Sequence, residues 1–237
     1  MRGARAARPH TSTRALLLRR VEHGESDLVL ALFTEKAGRV SALARAARKS
    51  RKRFGGSLEA FHTLAVELDE PTSGELHQLR EATLAVVRHR LTADLARMDA
   101  AGRALAWLRS AAPPRHPEPE LWNVVTRLLD RLDSESAPPP KLVLAEEGLR
   151  FLAALGWGLT LGSCVRCGKP CEPGKAAMID PVRGGLVCRA CGGARFRVSG
   201  AARARLAKAE LAPPDVDLAL DLVERALAAH AGVEPPG

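Results

Sequence analysis

Tyrosine is absent from this chain of 237 residues, and aromatic residues together make up only 3% of it. A surface that grips its ligand mainly by stacking rings is therefore not expected. No apolar run approaches the roughly eighteen residues a membrane-spanning helix needs, so no membrane association is expected. Residues 1–9 are rich in Arg and Ala but hold no apolar segment, which argues against a secretory signal and for the cytoplasm. Catalytic signatures are missing as well: there is no Gly-x-x-x-x-Gly-Lys-Ser/Thr, no Gly-x-Ser-x-Gly and no His-Glu-x-x-His. The expectation is a protein without catalytic residues. Cysteine is scarce, five in all, and an odd number without a signal segment argues against a disulfide framework.

Those few cysteines are nonetheless the most constraining feature. Cys164-Val165-Arg166-Cys167 and Cys188-Arg189-Ala190-Cys191 are two Cys-x-x-Cys pairs separated by about twenty residues, a spacing typical of a four-cysteine zinc site. Two intervening residues let both sulfurs of a pair face one cation. Gly168 and Gly192-Gly193 follow the pairs and can take the positive φ that such turns need. Between the pairs, residues 178–181 and 184–187 read as two short strands, the form of a zinc ribbon. Four thiolates leave no open coordination position, so one structural Zn²⁺ is expected on Cys164, Cys167, Cys188 and Cys191. A redox-active Cys-x-x-Cys is disfavoured because the motif occurs twice. Cys171 could replace Cys167 as a ligand; the symmetry of the two pairs leaves it as a spare.

Charge is unevenly placed. The formal net charge is +9, and residues 1–60 hold 14 Lys or Arg against 5 Asp or Glu, while residues 61–237 hold 22 of each. An Arg-favouring codon bias would spread its excess along the chain. An excess confined to the first quarter predicts a basic surface and a polyanionic partner, nucleic acid first.

That quarter and the residues after it read as strands. Residues 15–21, 28–33, 38–45 and 62–69 are short apolar segments bounded by turns, and Leu64, Val66 and Leu68 alternate with Thr63, Ala65, Glu67 and Asp69. Pro71-Thr72-Ser73-Gly74 is a turn signal. Residues 75–87 fit a fifth strand or an early helix. Five short strands with no helical signal among the first ones suggest an antiparallel OB-fold barrel. Within it, residues 45–53 carry six basic side chains and no acidic one, and read as a mobile loop. Like charges this dense repel one another unless a polyanion neutralises them. Arg45, Arg48, Lys49, Arg51, Lys52 and Arg53, with Lys36 and Arg39 on the neighbouring strand edge, are the expected phosphate contacts. With Phe33, Phe54 and Phe61 as the only nearby rings, binding should be tolerant of sequence.

From residue 89 the periodicity changes. Leu91, Leu95, Met98, Leu105 and Leu108 recur at three- and four-residue steps, as do Leu121, Val124, Val125, Leu128, Leu129 and Leu132. Residues 111–119 read as a Pro-rich linker between these helices. A third helix follows Pro138-Pro139-Pro140, with Leu142, Ala145, Leu149, Leu152 and Leu155 on one face, and Gly156 ends it. Residues 200–211 and 215–231 are two more helices, parted by Pro213-Pro214. Trp107, Trp122 and Trp157 read as core. The expected architecture is α+β: residues 1–87 a five-stranded antiparallel OB-fold domain with a flexible Arg-rich start, and residues 88–237 an all-α domain carrying a four-cysteine zinc ribbon at 160–195.

The stretches Leu16-Leu17-Leu18-Arg19-Arg20, Gly24-Glu25-Ser26-Asp27 and Phe33-Thr34-Glu35-Lys36-Ala37-Gly38-Arg39-Val40, followed by a basic loop, resemble the start of the bacterial RecO family of recombination mediators. The order of the remaining parts, a helical domain with a four-cysteine site set into it, is similar too. The extended Arg-rich start and Cys171 depart from the family pattern without touching its N-terminal motifs. The resemblance implies a non-enzymatic, nucleoid-associated protein of the RecF pathway. Such proteins bind single- and double-stranded DNA, anneal complementary strands, and act with RecR and the acidic tail of single-strand-binding protein to let RecA load.

Two other classes stay open on the residues alone. His116-Pro117-Glu118 matches the His-x-Glu of zinc deaminases, but that family also needs Pro-Cys-x-x-Cys, and here Ser163 and Val187 precede the pairs. A general RNA-binding zinc-ribbon protein is the other.

Overall fold

The computed structural model describes residues 9–71 and 73–231. The Arg-rich start, Thr72 of the turn signal and the side chain of Arg51 lie outside the described residues. Contacts divide the chain into two units, one running to Thr92 with Ala112–Trp122 added, the other made of Ala93–Ala111 and the chain from Asn123 onward.

The first unit is built on five strands: β1 (His10–His23), β2 (Asp27–Thr34), β3 (Gly38–Ala44), β4 (Thr63–Asp69) and β5 (Leu76–Val86), with a single helical turn, α1 (Arg51–Phe54), between β3 and β4. They close into a barrel in the order β1-β2-β3-β5-β4. All pairings are antiparallel except the one between β3 and β5, which is parallel. The ambiguous residues 75–87 are thus mostly strand. β4 requires it, because its polar edge pairs along the length of β5.

Alternation builds the core. Leu28, Leu30 and Leu32 point inward from β2, Val40, Ala42 and Ala44 from β3, and Leu64, Val66 and Leu68 from β4. β1 breaks the period: Leu16, Leu17 and Leu18 are all buried. The β1–β2 register shifts between Leu17 and Arg19, and such a bulge flips the inward face partway along the strand. Thr63 and Asp69, expected on the outer face of β4, are buried too, and Asp69 pairs with Arg80 at 2.6 Å.

The Pro-rich residues 111–119 do more than link helices. Pro114 bridges to Arg39, the Arg115 N–H donates to the Arg39 carbonyl at 3.0 Å, and Trp122 lies 5.9 Å from Phe33, ring centre to ring centre. Gly38 (φ +65°) is needed there, since a Cβ on it would sit 1.9 Å from the His116 carbonyl oxygen.

The second unit takes its helices from α3 (Leu95–Ala111), α4 (Pro119–Asp133) from Asn123 onward, α5 (Pro140–Ala154), α6 (Gly200–Lys208) and α7 (Val216–Ala231); the short α2 (His89–Thr92) and the first turn of α4 belong to the first unit. α5 packs against α7 and α3 and is buried along most of its length, well beyond the expected stripe. Its Gly148 lets Trp107 and Val223 close in. Leu95, expected inward, is 83% exposed, because α3 begins there and the core contacts of that helix start at Ala100. Trp107 and Trp122 are core residues, whereas Trp157 is half-buried and stacks on His230.

The ribbon has four strands where two were expected: β6 (Thr160–Cys164), β7 (Ala177–Asp180), β8 (Gly185–Leu186) and β9 (Phe196–Val198), in the order β6-β8-β7-β9. The outer two, of five and three residues, are too short for a period of two to mark them. No helix among the described residues is long and apolar enough to cross a membrane.

Candidate metal centre and nucleic-acid interface

Cys164 ends β6, Cys167 follows in the turn, Cys188 precedes a single helical turn, Arg189–Cys191, and Cys191 ends it. Each pair forms a knuckle: the Gly168 N–H donates to the Cys164 carbonyl at 2.8 Å, and the Gly193 N–H to the Cys188 carbonyl at 3.0 Å. The four sulfurs lie within 4.8 Å of one another, and Cys167 Sγ is 3.8 Å from Cys188 Sγ. Tetrahedral thiolates at about 2.3 Å from a zinc ion stand about 3.8 Å apart, so the donor set fits that ion. The centre is also built for thiolate. The backbone N–H of Cys188 reaches Cys164 Sγ at 3.4 Å, and with the amides of Arg166 and Cys167 it lowers that thiol's pKa to about 6. Cys191 is pushed up to about 12, chiefly by its hydrogen bonds to the Cys188 and Cys167 thiols.

Cys171 stands outside the sulfur cluster. Its N–H donates to the Gly162 carbonyl at 2.9 Å and its carbonyl accepts from Arg203 Nη1 at 3.1 Å. Arg203, on α6 and only 6% exposed, also reaches the carbonyls of Leu161 and Glu172, so it clamps the ribbon's loop to the helices. Nothing in the sequence singled it out among many arginines. His116 is likewise not in the cluster; it is exposed and pairs with Glu118.

The helical unit holds a second feature that periodicity missed. Glu147, 1% exposed, accepts from Arg127, Arg131 and Arg150, while Glu146 accepts from Arg131 and from the Leu211 N–H. A buried carboxylate needs such compensation. The i,i+4 spacing of Arg127 and Arg131 was the available signal.

On the barrel, residues 45–53 are a turn followed by α1, not an irregular loop. The Ala46 N–H is held by Asp27 Oδ1 at 2.7 Å and the Arg48 N–H by the Ser26 carbonyl at 3.1 Å. The Gly24–Asp27 turn therefore anchors the basic segment. Phe54 at its end is buried in the barrel core. Arg53 bonds to the Arg45 carbonyl and lies over the Phe54 ring, and Arg48 pairs with Glu22 at 3.3 Å. Arg45, Lys49 and Lys52 are exposed and carry no ion pair among the described residues. Arg20 joins this group, its guanidinium donating to the Leu58 carbonyl beside α1. Lys36 and Arg39 are not brought to it. They lie at the other end of β3, about 20 Å away at some 3.3 Å per residue. Lys36 Nζ donates to the Ser12 carbonyl, and Arg39 Nε to the Ala112 carbonyl at 3.0 Å. Nearby, Arg14 forms a two-pronged pair with Glu35, which holds that carboxyl below its ordinary range.

Comparison with known proteins bears on the whole chain. A family model described as Recombination protein O N terminal matches residues 9–87, and one described as Recombination protein O C terminal matches residues 92–236. The chain belongs to the RecO family. The DNA repair protein RecO of Anaeromyxobacter sp. (strain K) is 38% identical over 74% of this chain and 68% of its own length. That of Desulfatibacillum aliphaticivorans is 33% identical over 96% of this chain and 94% of its own. That of Myxococcus xanthus is 35% identical over 75% and 71%. The barrel and the four-cysteine cluster thus belong to a recombination-repair mediator.

Proposed function

We propose that this chain acts in the RecF pathway, binding single- and double-stranded DNA, annealing complementary strands and, with RecR and single-strand-binding protein, promoting RecA loading. The observation that supports this most is a closed OB-like barrel whose first three strands lie in the quarter of the chain that holds the net charge excess, in a member of the RecO family. Its metal is Zn²⁺, one per chain and structural, since four cysteines leave no open position. The protein carries no catalytic residues and works in the cytoplasm at the nucleoid. Residues 1–87 serve nucleic acid. Residues 88–237, with the metal segment at 160–195, receive the tail of single-strand-binding protein.

Phosphate contacts come from the basic group on the barrel, Arg45, Arg48, Lys49, Arg51, Lys52 and Arg53; Lys36 and Arg39, tied to the Ser12 and Ala112 carbonyls at the far end of β3, serve the barrel's own structure instead. A strand-annealing assay, with bare strands and with strands coated by single-strand-binding protein, tests the proposal. Acceleration in both is expected. No acceleration of bare strands would overturn it, and turnover of deoxycytidine or deoxyadenosine in the same mixture would favour an enzyme.

A further inference from the structure

The ribbon concentrates charge that the rest of its unit hides. Residues 160–198 hold seven Lys or Arg against two Asp or Glu, a formal +5 inside a stretch of chain, 61–237, that is balanced as a whole. Four thiolates on a Zn²⁺ would contribute −2, leaving about +3 on fewer than forty residues. Some of these cations are engaged: Arg166 donates to the Cys191 carbonyl, Arg183 pairs with Asp180, and Arg195 lies over Phe196. Lys169, Arg189 and Arg197 are not. All three are exposed, none has an ion pair or hydrogen bond from its side chain among the described residues, and all three line one cleft.

That cleft has a volume of about 550 Å³ and no carboxylate in its lining. Met178, backed by the buried Val187 whose N–H donates to the Met178 carbonyl at 2.9 Å, forms an apolar floor with Ala176 and Ala177, and Cys164 and Cys188 of the metal centre complete the lining. Pro170 stands on one wall, which is fixed because the next residue, Cys171, is clamped by Arg203. Three cations with no partner among the described residues, around an apolar slot, match a ligand with a flat apolar face and anionic links on either side.

We propose that this cleft is a second nucleic-acid site, taking one unpaired nucleotide of a single strand, with its base on the apolar floor and its flanking phosphates on Lys169, Arg189 and Arg197. A duplex is too wide to enter and its bases are already stacked. Guanidinium planes can lie on a base or pair with a phosphate, so the site does not need the aromatic rings this chain lacks. An acidic peptide would satisfy the charges alone; the apolar floor and the RecO family membership favour nucleic acid. The inference rests on the DNA-binding reading above, though not on where the barrel binds. A site on each unit would let one molecule hold two strands.

The test uses full-length, metal-loaded protein. Single-stranded DNA carrying 5-iodo-deoxyuridine is irradiated on the wild type, and adducts are mapped. Adducts on the peptide holding Met178 or on residues 169–171 are expected. The variant Lys169→Gln, Arg189→Gln, Arg197→Gln should keep its metal and bind single strands about tenfold more weakly at 0.2 M salt, the worth of the two flanking phosphates relative to 1 M. Adducts confined to the barrel, with the variant binding as wild type, would overturn the ribbon site and leave DNA binding standing. Loss of poly-glutamate binding with DNA affinity unchanged would assign the cleft to an acidic peptide and also overturn it. A wild type that binds no DNA at low salt would instead remove the parent reading. Should the variant lose metal, the wild-type adduct map decides alone.

Discussion

Replacing Arg45, Lys49 and Lys52 together with Ala tests how the barrel meets a phosphate backbone. These side chains are exposed and carry no ion pair among the described residues, so each can neutralise a phosphate without breaking a contact seen there. Each contact releases condensed counterion and adds about −0.7 to the slope of log affinity against log salt on single strands, and about −0.9 on duplex. Losing three should flatten the slope by about 2 on single strands and somewhat under 3 on duplex. Over a fourfold rise in salt, the wild type should then lose about twentyfold more single-strand affinity than the variant. Fluorescence anisotropy of a labelled oligonucleotide at several salt concentrations reads this directly. Arg39→Ala is the control. Its Nε already donates to the Ala112 carbonyl, so its loss should cost on the order of 1–2 kcal/mol of stability and leave the slope nearly unchanged. Arg48→Ala should fall between, because its exposed pair with Glu22 is weak enough to open. An unchanged slope in the triple variant, or a larger change in Arg39→Ala, would refute the view that side-chain freedom selects the phosphate contacts.

Metal analysis should find about one equivalent of zinc in the wild type and in Cys171→Ser, and none in Cys188→Ser, whose ribbon should become protease-sensitive; metal lost from Cys171→Ser but kept in Cys167→Ser would reverse the ligand set. Asp215 accepts two hydrogen bonds from Arg205 and one from the Ala212 N–H, and the Arg205 guanidinium holds its carboxyl below the ordinary range. Because the folded value is depressed, its contribution is fully present above the unfolded value of about 4 and is lost as pH falls through the folded one. Asp215→Asn should therefore narrow the stability difference between pH 6 and pH 3 in urea titrations, and an unchanged difference would remove Asp215 from the acid response. Gly38→Ala should cost on the order of 1–3 kcal/mol, because a Cβ there meets the His116 carbonyl at a positive φ; a neutral effect in chemical denaturation would mean the Pro-rich segment does not hold its place on the barrel.

What the sequence determined by itself is what local spacing controls. Two Cys-x-x-Cys pairs bring sulfurs together because a knuckle is a few residues long, and the four ligands were legible for that reason. Alternation in β2, β3 and β4 marked the barrel core because one face of a strand must be dry. The charge excess was a matter of counting, although counting over residues 61–237 let the acidic surplus of residues 61–88 and 199–237 cancel the ribbon's +5. The tertiary structure alone decided what depends on distant partners. Arg39 and Lys49 look alike in the sequence, but a carbonyl 73 residues away occupies one and nothing among the described residues occupies the other. A bulge turned three consecutive leucines of β1 inward, and no period announces a bulge. Glu147 became a buried anchor because Arg127 and Arg131, a helix away, converge on it. An isolated charge, exposed or buried, takes its role from the dielectric and the counter-charges that packing assembles around it, and neither exists until the chain has folded.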